Sequence, residues 1–304
     1  MTRVREILLV LSVFAVVSVV HGQDTSNAIT RSEFNFGHQL GYMYSRVGDA
    51  YFQDGGIWRF ETGFLTLYTS DMPLVRSSHW KERTFMFIPL YFEIYPSDNI
   101  ALEIEMTDLF IELPYYDIHS MGGKSPRFKT KMRLVREGRW APAVAFTAGV
   151  KFSSAKPWVI WRHDHNYDES NGLTGAGTGV ADYILLFTLS KKLGVSTSLH
   201  THFGLIPIGS PVEYKRGSAQ ADEIPLGISL RHDFTASIEG TAEAAGMASG
   251  LSSTKLANYA VVRGKIAYRY GCNRCICTVE HGLTQESDEW GAGITGVFEF
   301  GRTR

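Results

Sequence analysis

Residues 290–300 read WGAGITGVFEF. In an extended chain Ala292, Ile294, Gly296, Phe298 and Phe300 share one face, and Gly293, Thr295, Val297 and Glu299 share the other. Such alternation is the period-two mark of a β-strand whose two sides meet different surroundings. The stretch is also long. Soluble strands usually run about five or six residues, whereas a tilted strand that crosses a bilayer needs about 9–11.

The same pattern recurs upstream. Ile100, Leu102, Ile104 and Met106 oppose Ala101, Glu103, Glu105 and Thr107. Phe128, Met132 and Leu134 oppose Lys129, Lys131 and Arg133, and Val262, Ile266, Tyr268 and Tyr270 oppose Arg263, Lys265 and Arg269. Helical spacing is hard to find past residue 30. The alternation predicts strands at 57–69, 82–95, 99–113, 127–135, 140–153, 180–191, 194–206, 223–232, 235–245, 257–270, 275–284 and 289–300.

The connections carry a second signal. Short turns fall at 96–98, 137–139, 192–193, 233–234 and 272–274. Longer polar stretches lie near 70–81, 114–126, 154–179, 207–222 and 246–256. Short and long connections alternate until the last, as in barrels with short periplasmic turns, long outer loops and an even strand number. The expectation is an all-β antiparallel transmembrane barrel of about twelve strands over residues 57–300, with residues 301–304 as a short tail.

A charge on the lipid face costs about 2–4 kcal/mol at the bilayer midplane, so the charged faces must look inward. Glu103 and Glu105 then lie one strand from Lys129, Lys131 and Arg133, and Glu239 and Glu243 lie one strand from Arg263, Lys265 and Arg269. Opposite charges on neighbouring strands stabilise a sheet modestly. These side chains read either as a lumen laced by ion pairs or as a polar path for a solute. On the strand at 82–95, an inward Glu93 brings Phe85, Phe87, Pro89 and Tyr91 inward with it. That stripe suits a path for apolar solutes or a surface for a plug. Pro89 lacks an N–H and predicts an edge, bulge or kink.

The N-terminus reads as a signal peptide: Arg3 and Arg5, an uncharged apolar run from Ile7 to Val20, then a small-residue cleavage site ending at Gly22. Residues 23–56 fit no strand count and stay open as a periplasmic segment, a plug or an extra strand. The whole chain has 304 residues and a net charge of −1, which excludes a basic nucleic-acid surface. Cys272, Cys275 and Cys277 are the three cysteines. Cys272 and Cys275 flank a predicted turn and are candidates for a hairpin disulfide. No cofactor and no metal site is expected.

Several stretches resemble known outer-membrane proteins. IYPSDNIALE at 94–103 resembles their strand–turn–strand hairpins. Residues 142–146 with 149–152, and 179–183 with 189–191, resemble strands of the transporter-like family of the meta-pathway of phenol degradation. The stretch at 290–300 resembles a closing strand whose aromatic, here Phe300, is read by the barrel-assembly machinery. The resemblance implies residence in the bacterial outer membrane and passive transport of a small hydrophobic or aromatic solute. Function does not follow from fold, so two other readings remain: a lipid-modifying hydrolase and a structural barrel without a pore. For the hydrolase the candidate groups are His119-Ser120, His163-Asp164-His165 with Asp168 and Glu169, and the alternating His200 and His202 beside Ser196 and Ser198.

Overall fold

A computed structural model describes residues 34–35, 47–69, 83–113, 118–123, 126–152, 159–160, 181–207, 223–249, 259–284 and 289–301. The predicted signal peptide and the His163–Glu169 cluster lie outside the described residues. The strands in chain order are β1 (Phe34–Asn35), β2 (Ile57–Thr69), β3 (Arg83–Ser97), β4 (Ile100–Leu113) and β5 (Ile118–Gly123). Next come β6 (Arg127–Val135), β7 (Ala143–Lys151), β8 (Val159–Ile160), β9 (Asp182–Lys192) and β10 (Thr197–Leu205). Last are β11 (Glu223–Asp233), β12 (Ile238–Ser249), β13 (Tyr259–Tyr270), β14 (Asn273–Gly282) and β15 (Trp290–Gly301). No helix among the described residues is long and apolar enough to cross a membrane.

Twelve of these strands form a closed antiparallel ring: β2, β3, β4, β6, β7, β9, β10, β11, β12, β13, β14 and β15, with β15 back on β2. The closing pair runs from Trp290↔Tyr68 to Gly301↔Ile57 without a shift. Two glycines permit this approach. A Cβ on Gly63 would lie 2.2 Å from the Ile294 carbonyl oxygen, and one on Gly293 would lie 2.6 Å from that of Phe64. β1 pairs with β8 in a separate two-stranded sheet.

The twelve predicted strands all appear, with ends moved by up to a few residues. Several connections differ. The β9–β10 turn is 193–196, the β11–β12 turn is 234–237, and β8 falls inside the expected loop at 154–179. The stretch at 114–126 is not one loop: β5 continues the ladder on the far half of β4, whose near half pairs with β6. His119 and Ser120 therefore sit on a strand rather than in a loop. β12 runs on to Ser249, into the expected loop at 246–256. The β13–β14 turn is Gly271-Cys272, not 272–274, because Gly271 takes a φ of 61° that a two-residue hairpin favours.

Pro89 makes neither an edge nor a slip. It pairs with Thr107 on β4. On its other side the β2–β3 ladder skips the positions between Thr62↔Leu90 and Leu65↔Phe87 and resumes in the same register. One gap in an otherwise continuous ladder accommodates the missing donor.

The outer face is apolar. Phe64, Ile100, Leu102, Phe128, Leu226, Ile266 and Ile294 are exposed large hydrophobics. Phe187 packs between Phe146 and Phe203 across three strands, tilted against the first and stacked on the second, with centroids at 5.0 and 5.6 Å. Aromatics mark both rims: Trp58, Phe300, Tyr270 and Trp140 at the turn end, and Tyr68, Trp290 and Tyr183 at the loop end, all exposed. An exposed apolar belt with aromatic rims on a closed barrel is a lipid-facing surface.

Ile294 is 57% exposed near the middle of β15. Ile294→Arg is expected to destabilise the barrel by about 2–4 kcal/mol, read from urea titration of folding into vesicles. A change within error would remove this face from lipid.

Candidate functional site: the lumen and the segment inside it

Alternation sends every second side chain inward, and these carry the charges. Twelve strands about 4.8 Å apart and tilted by about 40° close on a backbone radius near ~12 Å. Inward side chains from opposite walls leave room for little more than one further chain segment.

One wall holds the β4–β6 pairs. Register sets Glu103 opposite Lys129 and Glu105 opposite Arg127. Lys129 Nζ lies 2.9 Å from Glu103 and 3.3 Å from Glu105, and Arg127 donates to Glu105 at 2.7 Å. Glu93 directly faces Glu103 across β3–β4. Like charges so placed repel; here Arg59, 3.6 Å from Glu93, and Lys129 flank them. The opposite wall carries Arg263 between Glu243 at 2.7 Å and Glu280 at 2.6 Å, with Lys265 on Glu243 at 2.7 Å. Arg269 bridges Asp233 and Glu239. Buried ions are tolerable because each finds a counter-ion and hydrogen bonds.

Of the residues read from the sequence as lining the lumen, those whose side chains are described turn inward. Glu103, Glu105, Lys129, Lys131, Glu239, Arg263, Lys265 and Arg269 sit in or beside these ion pairs. Tyr91 lies under the Lys129 ammonium, 5.5 Å from its ring centroid. Arg133 reaches Asn99 at the turn end. Phe85 and Phe87 lie on β3, and their side chains are outside the described residues.

Residues 47–56 run along the inner wall from β3 to β11, and the wall is cut back to admit them. Ala50 packs on Ala143 and Ala145 with Tyr51 and Phe52 beside it. A Cβ on Gly227 would lie 2.5 Å from Val47. Polar anchors fix the run. The Gly56 N–H donates to the Tyr95 carbonyl at 2.7 Å, the Gly55 N–H to Asp98 at 2.9 Å, the Ala50 N–H to Ser190 Oγ at 2.7 Å and the Tyr51 hydroxyl to Glu137 at 3.0 Å. Lys131 and Arg133 sit over the Phe52 ring at 4.9 and 4.8 Å.

Asp49 lies 3.5 Å from Arg231 and 3.8 Å from Lys131. Burial opposes its ionisation, but Lys131, Arg231 and His200 hold its carboxyl well below the usual carboxylate range. The stability this charge contributes is present at neutral pH and is lost only as pH falls through that depressed value. Burial and the hydrogen bond to Glu137 push the Tyr51 hydroxyl up. Glu137 is pulled down against its burial by the Lys192 N–H, Tyr51 and Lys191.

Periodic reading missed Asp49, Ala50, Tyr51 and Phe52, since a segment that lies on a wall has no period. It also passed over Arg59, Glu61, Arg231 and Glu280, although their alternation with apolar neighbours was available. The expected Cys272–Cys275 disulfide is absent: all three thiols are free and exposed. Cys272 occupies the turn with its Sγ toward Asn273, while Cys275 lies along β14 opposite Tyr268.

Above the segment is a cavity of about 200 Å³. Leu65, Pro89, Ile184 and Leu186 form an apolar patch of its lining, and the rest is largely polar: Asp49, Lys131 and Arg231 beside the segment, and the paired charges around Glu103, Glu105, Arg127, Lys129 and Lys265. Toward the loop end the buried inward side chains Leu67, Ile206, Met247 and Val261 alternate with the charged Arg127, Lys151, Arg263 and Glu280.

No family model matches the chain, and no curated protein matches it. Among solved structures it is similar to the COG4313 outer membrane channel from Pseudomonas putida F1, with 12% identity over 84% of this chain and 99% of that one and a TM-score of 0.59. It is also aligned with the CymD monoaromatic hydrocarbon channel, at 8% identity over 90% and 95% with a TM-score of 0.43. The Pseudomonas putida toluene transporter TodX aligns at 7% identity over 88% and 94% with a TM-score of 0.36. The first likeness is one of fold. Closed ring, lipid-facing belt and this likeness define the fold as a transmembrane β-barrel of the outer-membrane type.

Glu243 and Arg263 side chains are each 1% exposed. Glu243→Ala is expected to cost about 3–5 kcal/mol, because Lys265 and Arg263 lose a shared partner. Urea unfolding followed by tryptophan fluorescence checks it; an unchanged midpoint would mean that water already solvates the pair.

Proposed function

We propose that the barrel is a passive pathway for a small hydrophobic solute, of the kind its resemblance to the phenol meta-pathway transporter-like family implies. The observation that carries this reading is a cavity of about 200 Å³ whose charged lining is largely engaged in ion pairs and which also presents an apolar patch at Leu65, Pro89, Ile184 and Leu186. A wall of paired charges gives a hydrated ion no net attraction, since most of its charges are already neutralised by neighbours. An apolar pocket instead gains from any apolar surface it takes from water. Its size favours a small molecule. An engineered apolar cavity of about 150 Å³ accepts benzene, and ordinary ligand pockets are larger, about 300–1,000 Å³.

Transport then has a simple order. The solute leaves water at the loop end, rests against Leu65, Ile184 and Leu186, and passes on when residues 47–56 yield. No proton or covalent step is needed. The Phe300 rim and closing strand serve insertion of the barrel by the assembly machinery rather than the path.

The test is uptake of radiolabelled naphthalene by intact Gram-negative cells. Cells producing the protein are expected to take it up severalfold faster than vector controls. Ile184→Glu, which puts a carboxylate into the apolar wall, should abolish most of the gain. Equal uptake with and without a correctly folded barrel would overturn the reading.

A further inference from the structure

His200 stands where the inner segment meets the wall. It is 1% exposed. Its Nδ1 lies 2.8 Å from Ser190 Oγ, and its Nε2 lies 2.8 Å from Ser198 Oγ. Ser190 Oγ also accepts the Ala50 N–H at 2.7 Å, so one hydroxyl joins the imidazole to the segment. The Tyr51 ring meets the imidazole edge-on at 5.7 Å. The charged groups that act on the ring are Asp49 from the segment, Lys131 from β6, Arg231 from β11 and Glu239 from β12.

We propose that His200 is a proton-operated latch that holds residues 47–56 against the barrel wall when neutral and lets them go when protonated. This rests on the channel reading, because release matters only if the lumen conducts.

Hydrogen-bonding capacity makes the imidazole sensitive to its second proton. A neutral imidazole has one donor and one acceptor. Two hydroxyls satisfy both in either tautomer. In the arrangement that best serves the segment, the Ser190 O–H donates to Nδ1 while its oxygen accepts the Ala50 N–H. A second proton makes both ring nitrogens donors. Ser190 Oγ must then accept from Nδ1 as well as from Ala50, and its own O–H loses its acceptor.

Charge works the same way. Two cations and two anions surround the ring, so an added positive charge has no counter-ion of its own and competes with Lys131 and Arg231 for Asp49. Asp49 cannot produce the same response, because its carboxyl stays ionised throughout the range in which imidazoles titrate.

The experiment is single-channel conductance of the full chain in planar lipid bilayers, titrated from about pH 7.5 down to about pH 3, so that the scan runs well past the range of a free imidazole. Wild type is expected to show a severalfold, reversible rise on acidification. His200→Gln keeps one donor and one acceptor without titrating, and should stay low throughout. Ser190→Ala removes the link to Ala50, and should be high throughout. Heat-modifiability on gels confirms that each variant folds, and His200→Asn replaces His200→Gln if the latter does not.

A wild type indifferent to pH, an undiminished acid response in His200→Gln, or a closed Ser190→Ala at neutral pH would overturn the latch. Ionic conductance is measured without solute, so failure here leaves the naphthalene result standing, and failure there leaves this one.

Discussion

Lipid offers a peptide group no hydrogen-bond partner. A sheet in a membrane must therefore satisfy its own edges, and the only way is to join them. In this chain the join is the β2–β15 pair, in register from Tyr68 and Trp290 at one rim to Ile57 and Gly301 at the other. Gly63 and Gly293 matter there because a Cβ at either would strike the opposing backbone. Once the ring is closed, period-two alternation sorts side chains without further instruction. Ile294 and Phe298 meet lipid, while Thr295 and Val297 meet the lumen. The gap beside Pro89 is affordable because both flanking stretches of ladder hold the register.

Closure also sets the problem the interior solves. A ring of this size has a lumen too wide for side chains alone to fill with close contacts. Long charged side chains paired across strands fill part of it, as with Arg263 between Glu243 and Glu280. Residues 47–56 fill another part, where the wall is reduced to Ala143, Ala145 and Gly227. What remains is the cavity between the paired charges and the apolar patch at Leu65, Ile184 and Leu186. The function proposed for the barrel thus follows from what the packing leaves empty.

The strands were legible because alternation over a dozen residues is hard to mistake, and turn lengths supplied the topology. The β4–β6 and β12–β13 charge pairing was legible for the same reason: adjacency in sequence is adjacency in the sheet for a meander. The boundaries were less so. β5 was hidden because His119, Ser120 and two glycines in Ile118–Gly123 look like a loop, yet the far half of β4 needs a partner. The position of Cys272 depended on Gly271 adopting a left-handed conformation, which shifted the turn by one residue. The segment at Asp49–Phe52 had no local signal at all. Its contacts reach Lys131, Ser190 and Arg231, each far away in the chain, and only closure of the ring brings those together.

The central claim is that the apolar face of each strand is outside and the charged face inside. Spin labels placed one at a time along residues 292–299, in a variant lacking the three native cysteines, test it most directly. The account predicts that labels at Ala292, Ile294, Gly296 and Phe298 collide with lipid-dissolved oxygen and are shielded from a water-soluble nickel chelate, with no such lipid exposure at Gly293, Thr295, Val297 and Glu299. Reversal of that alternation, with the Ile294 face sheltered in a core and the Glu299 face open to the chelate from outside, would contradict it and make the same strands a soluble sandwich.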